Sequence, residues 1–182
     1  MNILKNIFST IIVMVLIASC SSKDEEYVPQ RASAIHNSLY VSILDNQNEP
    51  INYNTLLAAG ELSVFEKGSK LHSKIDVTDY TGMKMIRFSV ALPNTKSMIF
   101  NKDRTKGVGT VDLLMKIKET KLPIAVKYIY EVKDFEMFGG NSIYIKSIEY
   151  AGKNVIPTER MAQYFIKIKY DEKNTTIEPL TE

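Results

Sequence analysis

The chain has 182 residues, 23 of them basic and 21 acidic, for a formal net charge of +2. Without a run of lysines or a basic patch interleaved with aromatics, nothing in this balance attracts nucleic acid. The length suits one domain with a proper core.

The first element is an N-terminal targeting segment. Lys5 is followed by an unbroken apolar run from Ile11 to Ala18, then by small Ser19 and by Cys20, the single cysteine of the chain. A positive start, a short apolar stretch and a small residue before the cut describe a secretory signal over residues 1–19. The run is too short to cross a bilayer core, which takes about 20 apolar residues. A lone cysteine in an exported protein has no disulfide partner and calls for another explanation.

Ile17-Ala18-Ser19-Cys20 resembles the lipobox of bacterial lipoproteins. The resemblance implies that Cys20 becomes the mature N-terminus and carries covalent diacylglycerol and an N-acyl chain, with no other cofactor. Ser21-Ser22-Lys23-Asp24-Glu25-Glu26 is similar to the acidic export signal of surface lipoproteins of the Bacteroidota. The implied location is the bacterial outer membrane, anchored through its lipid and facing the exterior; the periplasmic face is the alternative. Residues 20–34 read as a polar, flexible tether. The 14 residues from Cys20 to Ser33 span at most roughly 46–50 Å extended and about 20 Å as a coil.

Cleavage leaves 163 residues, read as a single β-sandwich domain over 35–170 and a polar C-terminal tail over 171–182. Leu39, Val41 and Ile43 alternate with polar neighbours, the period-2 signal of a half-buried strand, and the turn formers from Asp45 to Pro50 end it. Asn54 to Gly60 suggests one or two helical turns, with Asn54 as cap and Gly60 as stop. Strand patterns resume at Leu62 and Val64, then at Leu71, Ser73, Ile75 and Val77 opposite His72, Lys74 and Asp76. Ile86, Phe88, Val90 and Leu92 alternate against Met85, Arg87, Ser89 and Ala91. The polar stretch from Pro93 to Gly109 is long for a connection, which makes it either functional or mobile.

The second half repeats the alternation at Val111, Leu113, Met115 and Ile117, and at Ile124, Val126, Tyr128, Tyr130 and Val132. Gly139-Gly140-Asn141 is a tight-turn signal. A strand follows from Ser142 to Tyr150, a short helical turn over Pro157 to Met161, and a last strand through Tyr164, Ile166, Ile168 and Tyr170. Eight strands at near-regular spacing, without intervening helices, predict an all-β, two-sheet antiparallel sandwich; a closed barrel is the alternative. Strand count and spacing resemble immunoglobulin-like architecture, without its paired cysteines or core tryptophan.

Chemical motifs are sparse. His36 and His72 are the two histidines and neither has metal-ligand spacing, so no metal is expected. Gly107-Val108-Gly109 opens no helix and reads as the flexible start of a strand. The apolar group Phe135, Met137 and Phe138 before a glycine turn marks an interaction surface. Glu131, Asp134 and Glu136 are the carboxylates a hydrolase of extracellular polymer would use. The ten tyrosines fit half-buried strand faces. The expected function is therefore non-enzymatic: an anchored lipoprotein that binds or supports a protein or glycan of the envelope. A fimbrial or adhesive subunit is the second reading, since Arg31-Ala32 stands where a trimming protease would cut.

Overall fold

The computed structural model describes residues 32–69, 71–133 and 140–181. In chain order it gives β1 (Ala34–His36), β2 (Ser38–Leu44), helix α1 (Tyr53–Ala58), β3 (Leu62–Glu66), β4 (Asp76–Tyr80) and β5 (Met83–Ser89). A single 3-10 turn (Thr95–Ser97) precedes β6 (Ile99–Phe100), β7 (Lys106–Ile117), β8 (Thr120–Lys133) and β9 (Gly140–Tyr150). The chain ends with β10 (Lys153–Val155), β11 (Thr158–Arg160), β12 (Gln163–Lys169) and β13 (Thr176–Pro179).

These strands make an all-β sandwich of two open sheets. The first sheet runs β1-β9-β8-β7-β3, with β10 added at β9 and β6 at β7. The second runs β11-β12-β2-β5-β4, with β13 added at β12. Most pairs are antiparallel; β1 with β9 and β2 with β12 are parallel. The chain passes from one sheet to the other at Asn37, whose side-chain amide donates to the Val90 carbonyl at 2.7 Å while its own carbonyl accepts from Val90 N–H at 3.0 Å.

Period-2 alternation builds the central core. Leu39, Val41 and Ile43 of β2, Val111 to Ile117 of β7, Ile124 to Tyr128 of β8 and Tyr164 to Ile168 of β12 interleave between the sheets as their spacing predicts. Each fully buried Val, Leu or Ile contributes roughly 1.5–3 kcal/mol. The second sheet is also covered on its outer face. There Tyr40, Met85, Phe165 and Leu180 form a separate buried cluster with half-buried Tyr80 against it.

Several segments depart from the sequence reading. The helix starts two residues earlier than expected: Asn52, not Asn54, caps it, its Oδ1 accepting from Thr55 N–H at 3.2 Å. Tyr53 is thereby the first helical residue, and it drops its ring into the core, where its hydroxyl accepts from Ile43 N–H at 2.8 Å. Residues 71–75 form no strand beyond one bridge between His72 and Phe65, and Leu71 is 80 % exposed. Instead of a helical turn, 157–161 contains β11, which pairs back onto β12 through Met161 and Ala162 at φ 49° and 60°. The tail over 171–182 is no tail. Asp171 Oδ1 accepts from Lys173 and Asn174 N–H, turning the chain so that β13 pairs with β12 and buries Ile177 and Leu180. At the other end, β1 begins inside the segment read as tether.

The Pro93–Gly109 stretch closes one end of the core. Its residues fold back as the 3-10 turn and β6, and Phe100 packs edge-on to Tyr130 with centroids 5.7 Å apart. Gly107 and Gly109 are not a flexible start to β7; they leave the room this plug occupies. A Cβ on Gly109 would stand 2.7 Å from two Pro93 ring carbons and 3.0 Å from Met98 Cγ. The proline ring has no rotamer with which to yield, so Gly109→Ala should lower unfolding free energy by about 1–3 kcal/mol. Chemical denaturation of the two proteins checks this, and an unchanged midpoint would mean the plug is loosely seated.

Candidate functional site

The residues singled out around the anchor, Cys20 and Ser21 to Glu26, lie outside the described residues, as do Phe135, Met137, Phe138, Asp134 and Glu136. Glu131 and both histidines are described. His72 is exposed and sits edge-on to Phe65 at 5.4 Å. His36 lines a cleft that the sequence does not announce, and Glu131 stands beside it through its hydrogen bond with Tyr144.

Three separated segments build it. Parallel pairing sets Ala34, Ile35 and His36 beside Ser142, Ile143 and Tyr144. A clasp fixes the start of that pairing. Ser33 N–H donates to Asn141 Oδ1 at 2.6 Å, Ser33 Oγ donates to the Asn141 carbonyl at 2.7 Å, and Asn141 Nδ2 donates to Tyr130 Oη at 2.8 Å. The β11–β12 hairpin supplies Glu159, Ala162 and Tyr164. Together they enclose about 520 Å³, also lined by Gly140.

Sheet register explains the charges beside this cleft. Lys106 stands opposite Glu131 across β7 and β8, and Glu131 opposite Ser142 across β8 and β9. Tyr144 lies two positions from Ser142 on the same face, the diagonal distance that long side chains span. Lys106 Nζ accordingly pairs with Glu131 Oε1 at 3.0 Å, and Tyr144 Oη donates to Glu131 Oε2 at 3.4 Å. Burial raises the Tyr144 hydroxyl above its ordinary pKa, and the negative charges of Glu131 and Glu159 push it the same way. Burial also raises Tyr164, with further contributions from Glu159 and Tyr144. Both phenols therefore remain protonated, as hydrogen-bond donors, throughout the neutral range.

Tyr164 is distinctive. It lines the cleft at only 2 % exposure, and its hydroxyl makes no hydrogen bond with a described residue. Ser42 Oγ is the one fully enclosed side-chain oxygen without a partner among the described residues. The Tyr164 oxygen, equally unbonded, thus opens onto the cleft. An unmade hydrogen bond at so buried a group costs about 1–3 kcal/mol unless water or a ligand supplies it. Among the described residues no three metal-ligating side chains cluster.

Sequence reading assigned Tyr144 and Tyr164 to strand faces and missed Glu159, Ser33 and Asn141 as neighbours. The alternating pattern does carry a signal for Tyr144 and Tyr164, but not for the register that joins them. The chain matches no protein-family model, no curated protein and no solved structure.

Proposed function

We propose that this protein is a lipid-anchored module of the bacterial outer membrane that faces the exterior and binds another macromolecule of the envelope without catalysing a reaction. The observation that carries this reading is the placement of Cys20, directly after the apolar run and Ile17-Ala18-Ser19 and directly before Ser21 to Glu26. The fold is compatible with it. Ala32 already packs against the core and Ser33 is clasped to Asn141, so 12 residues from Cys20 through Arg31 link anchor to domain.

Glu131 supports binding over hydrolysis. Its carboxylate is neutralised by Lys106 and hydrogen-bonded by Tyr144, an arrangement that holds the wall of a cleft rather than frees a group for proton transfer. Protease added to intact cells is expected to digest the domain while periplasmic markers stay whole. Crosslinking before lysis is expected to return the same partner in replicate. Protection of the domain would assign it to the periplasmic face, and failure to recover a reproducible partner would remove the binding role.

A further inference from the structure

We infer that the cleft between β1, β9 and the β11–β12 hairpin is a saccharide site, taking a neutral glycan whose hydroxyls bridge Tyr164 and Glu159. This inference rests on the binding reading above and names the class of ligand. The argument is an account of donors and acceptors. Glu159 offers acceptors only, whereas the Tyr164 hydroxyl and the Ser142 hydroxyl can each donate and accept. Asn141 is committed to Ser33 and Tyr130, and the charge of Glu131 is balanced by Lys106. What remains for a ligand is one carboxylate, the Tyr164 and Ser142 hydroxyls, the His36 imidazole, which like them can donate and accept, and the ring of half-buried Tyr144.

Other ligand classes fit this set poorly. An apolar ligand would seal the Tyr164 hydroxyl away from water with nothing to bond. An anion would meet Glu159 at close range. A guanidinium or ammonium group would satisfy Glu159 but has no acceptor for the phenol and serine hydrogens. Sugar hydroxyls donate and accept at once, so neighbouring hydroxyls satisfy Glu159 and Tyr164 together. The apolar face of the sugar ring has Tyr144 to pack against. A cleft of about 520 Å³ lies within the ordinary range for small-ligand sites.

The mature lipoprotein in detergent micelles, applied to an array of neutral hexose and N-acetylhexosamine oligosaccharides, tests this. Saturable retention of at least one array member is expected. That oligosaccharide is then titrated into the parent, Tyr164→Phe and Glu159→Gln, each expected to bind about tenfold more weakly. Both substitutions retain side-chain volume, and circular dichroism confirms that the sheets persist. Absence of retention at millimolar concentration overturns the proposal, as does parental affinity in Tyr164→Phe. Retention of polylysine in place of every sugar also overturns it, in favour of a basic protein partner. Neither substitution touches the anchor. Loss of the saccharide proposal would leave the anchored binder standing, and a bare Cys20 with sugar binding intact would do the reverse.

Discussion

Replacing Cys20 with alanine is expected to move the protein from the membrane pellet to the soluble fraction. One acyl chain gives a partition constant of only about 10⁴ M⁻¹, but chains on the same anchor multiply, at about 0.8 kcal/mol per buried methylene. The two or three chains that the lipobox resemblance implies would hold the wild type for far longer than a fractionation takes. No helix among the described residues is long and apolar enough to span a bilayer. A loss of more than about a hundredfold in pelleted protein is the expected size of the effect. Mass spectrometry supplies the second readout. The wild-type N-terminal peptide should begin at Cys20 and carry the mass of its fatty chains. An unmodified thiol, or a C20A protein that pellets like the parent, would remove the anchoring and with it the assignment to the outer membrane.

Phe165→Ala is the substitution expected to destabilise the domain most. Phe165 is fully buried on the outer face of the second sheet, stacked on Tyr40 at 4.7 Å and tilted against Tyr80 at 4.6 Å. Met85 and Leu180 complete the cluster, and the Arg160 guanidinium lies 6.0 Å from the ring centroid. Truncation removes the ring and leaves a cavity among Tyr40, Tyr80, Met85 and Leu180 on that face, at a cost of about 3–5 kcal/mol. Domains of this size are stable by about 5–15 kcal/mol in total, so thermal unfolding should begin about 10 °C lower. Phe165→Leu retains most of the apolar volume and should lose much less. Denaturant titration of the three proteins decides the point. A loss below about 1 kcal/mol for the alanine variant would mean that solvent already reaches the ring.

That outer cluster also shows where sequence reading stopped. Alternation located the inner faces of β2, β7, β8 and β12 residue by residue, because a half-buried strand exposes its period in a single segment. It misjudged the other face of the second sheet. Tyr40 and Phe165 fall at outward positions, and what covers them comes from Tyr80, Leu180 and Arg160, remote in the chain. The short β13 was hidden by its setting among Asp171, Glu172, Lys173 and Asn174, which read as a polar tail although Ile177 and Leu180 are buried. Pro157 to Met161 reads as a helical turn, since the three residues of β11 are too few to display a period. The cleft was concealed for a related reason. Its walls come from 33–36, 140–144 and 159–164, and only the parallel pairing of β1 with β9 and the turn at Met161-Ala162 bring them together. Register is a property of pairs of strands, and one strand does not display it.

The parallel pairing of β2 with β12 has a kinetic consequence. Leu39 to Leu44 finds its neighbour in Tyr164 to Lys169, so closing the second sheet means joining stretches more than a hundred residues apart in the chain. Contacts of such long range incur loop-closure entropy before any hydrogen bond offsets it, and they slow folding. A chain threaded through a translocation pore from its N-terminus would lack the partner of β2 until roughly the last tenth of its length had emerged. In the export proposed above, the topology would delay completion of the sandwich until transit was nearly over.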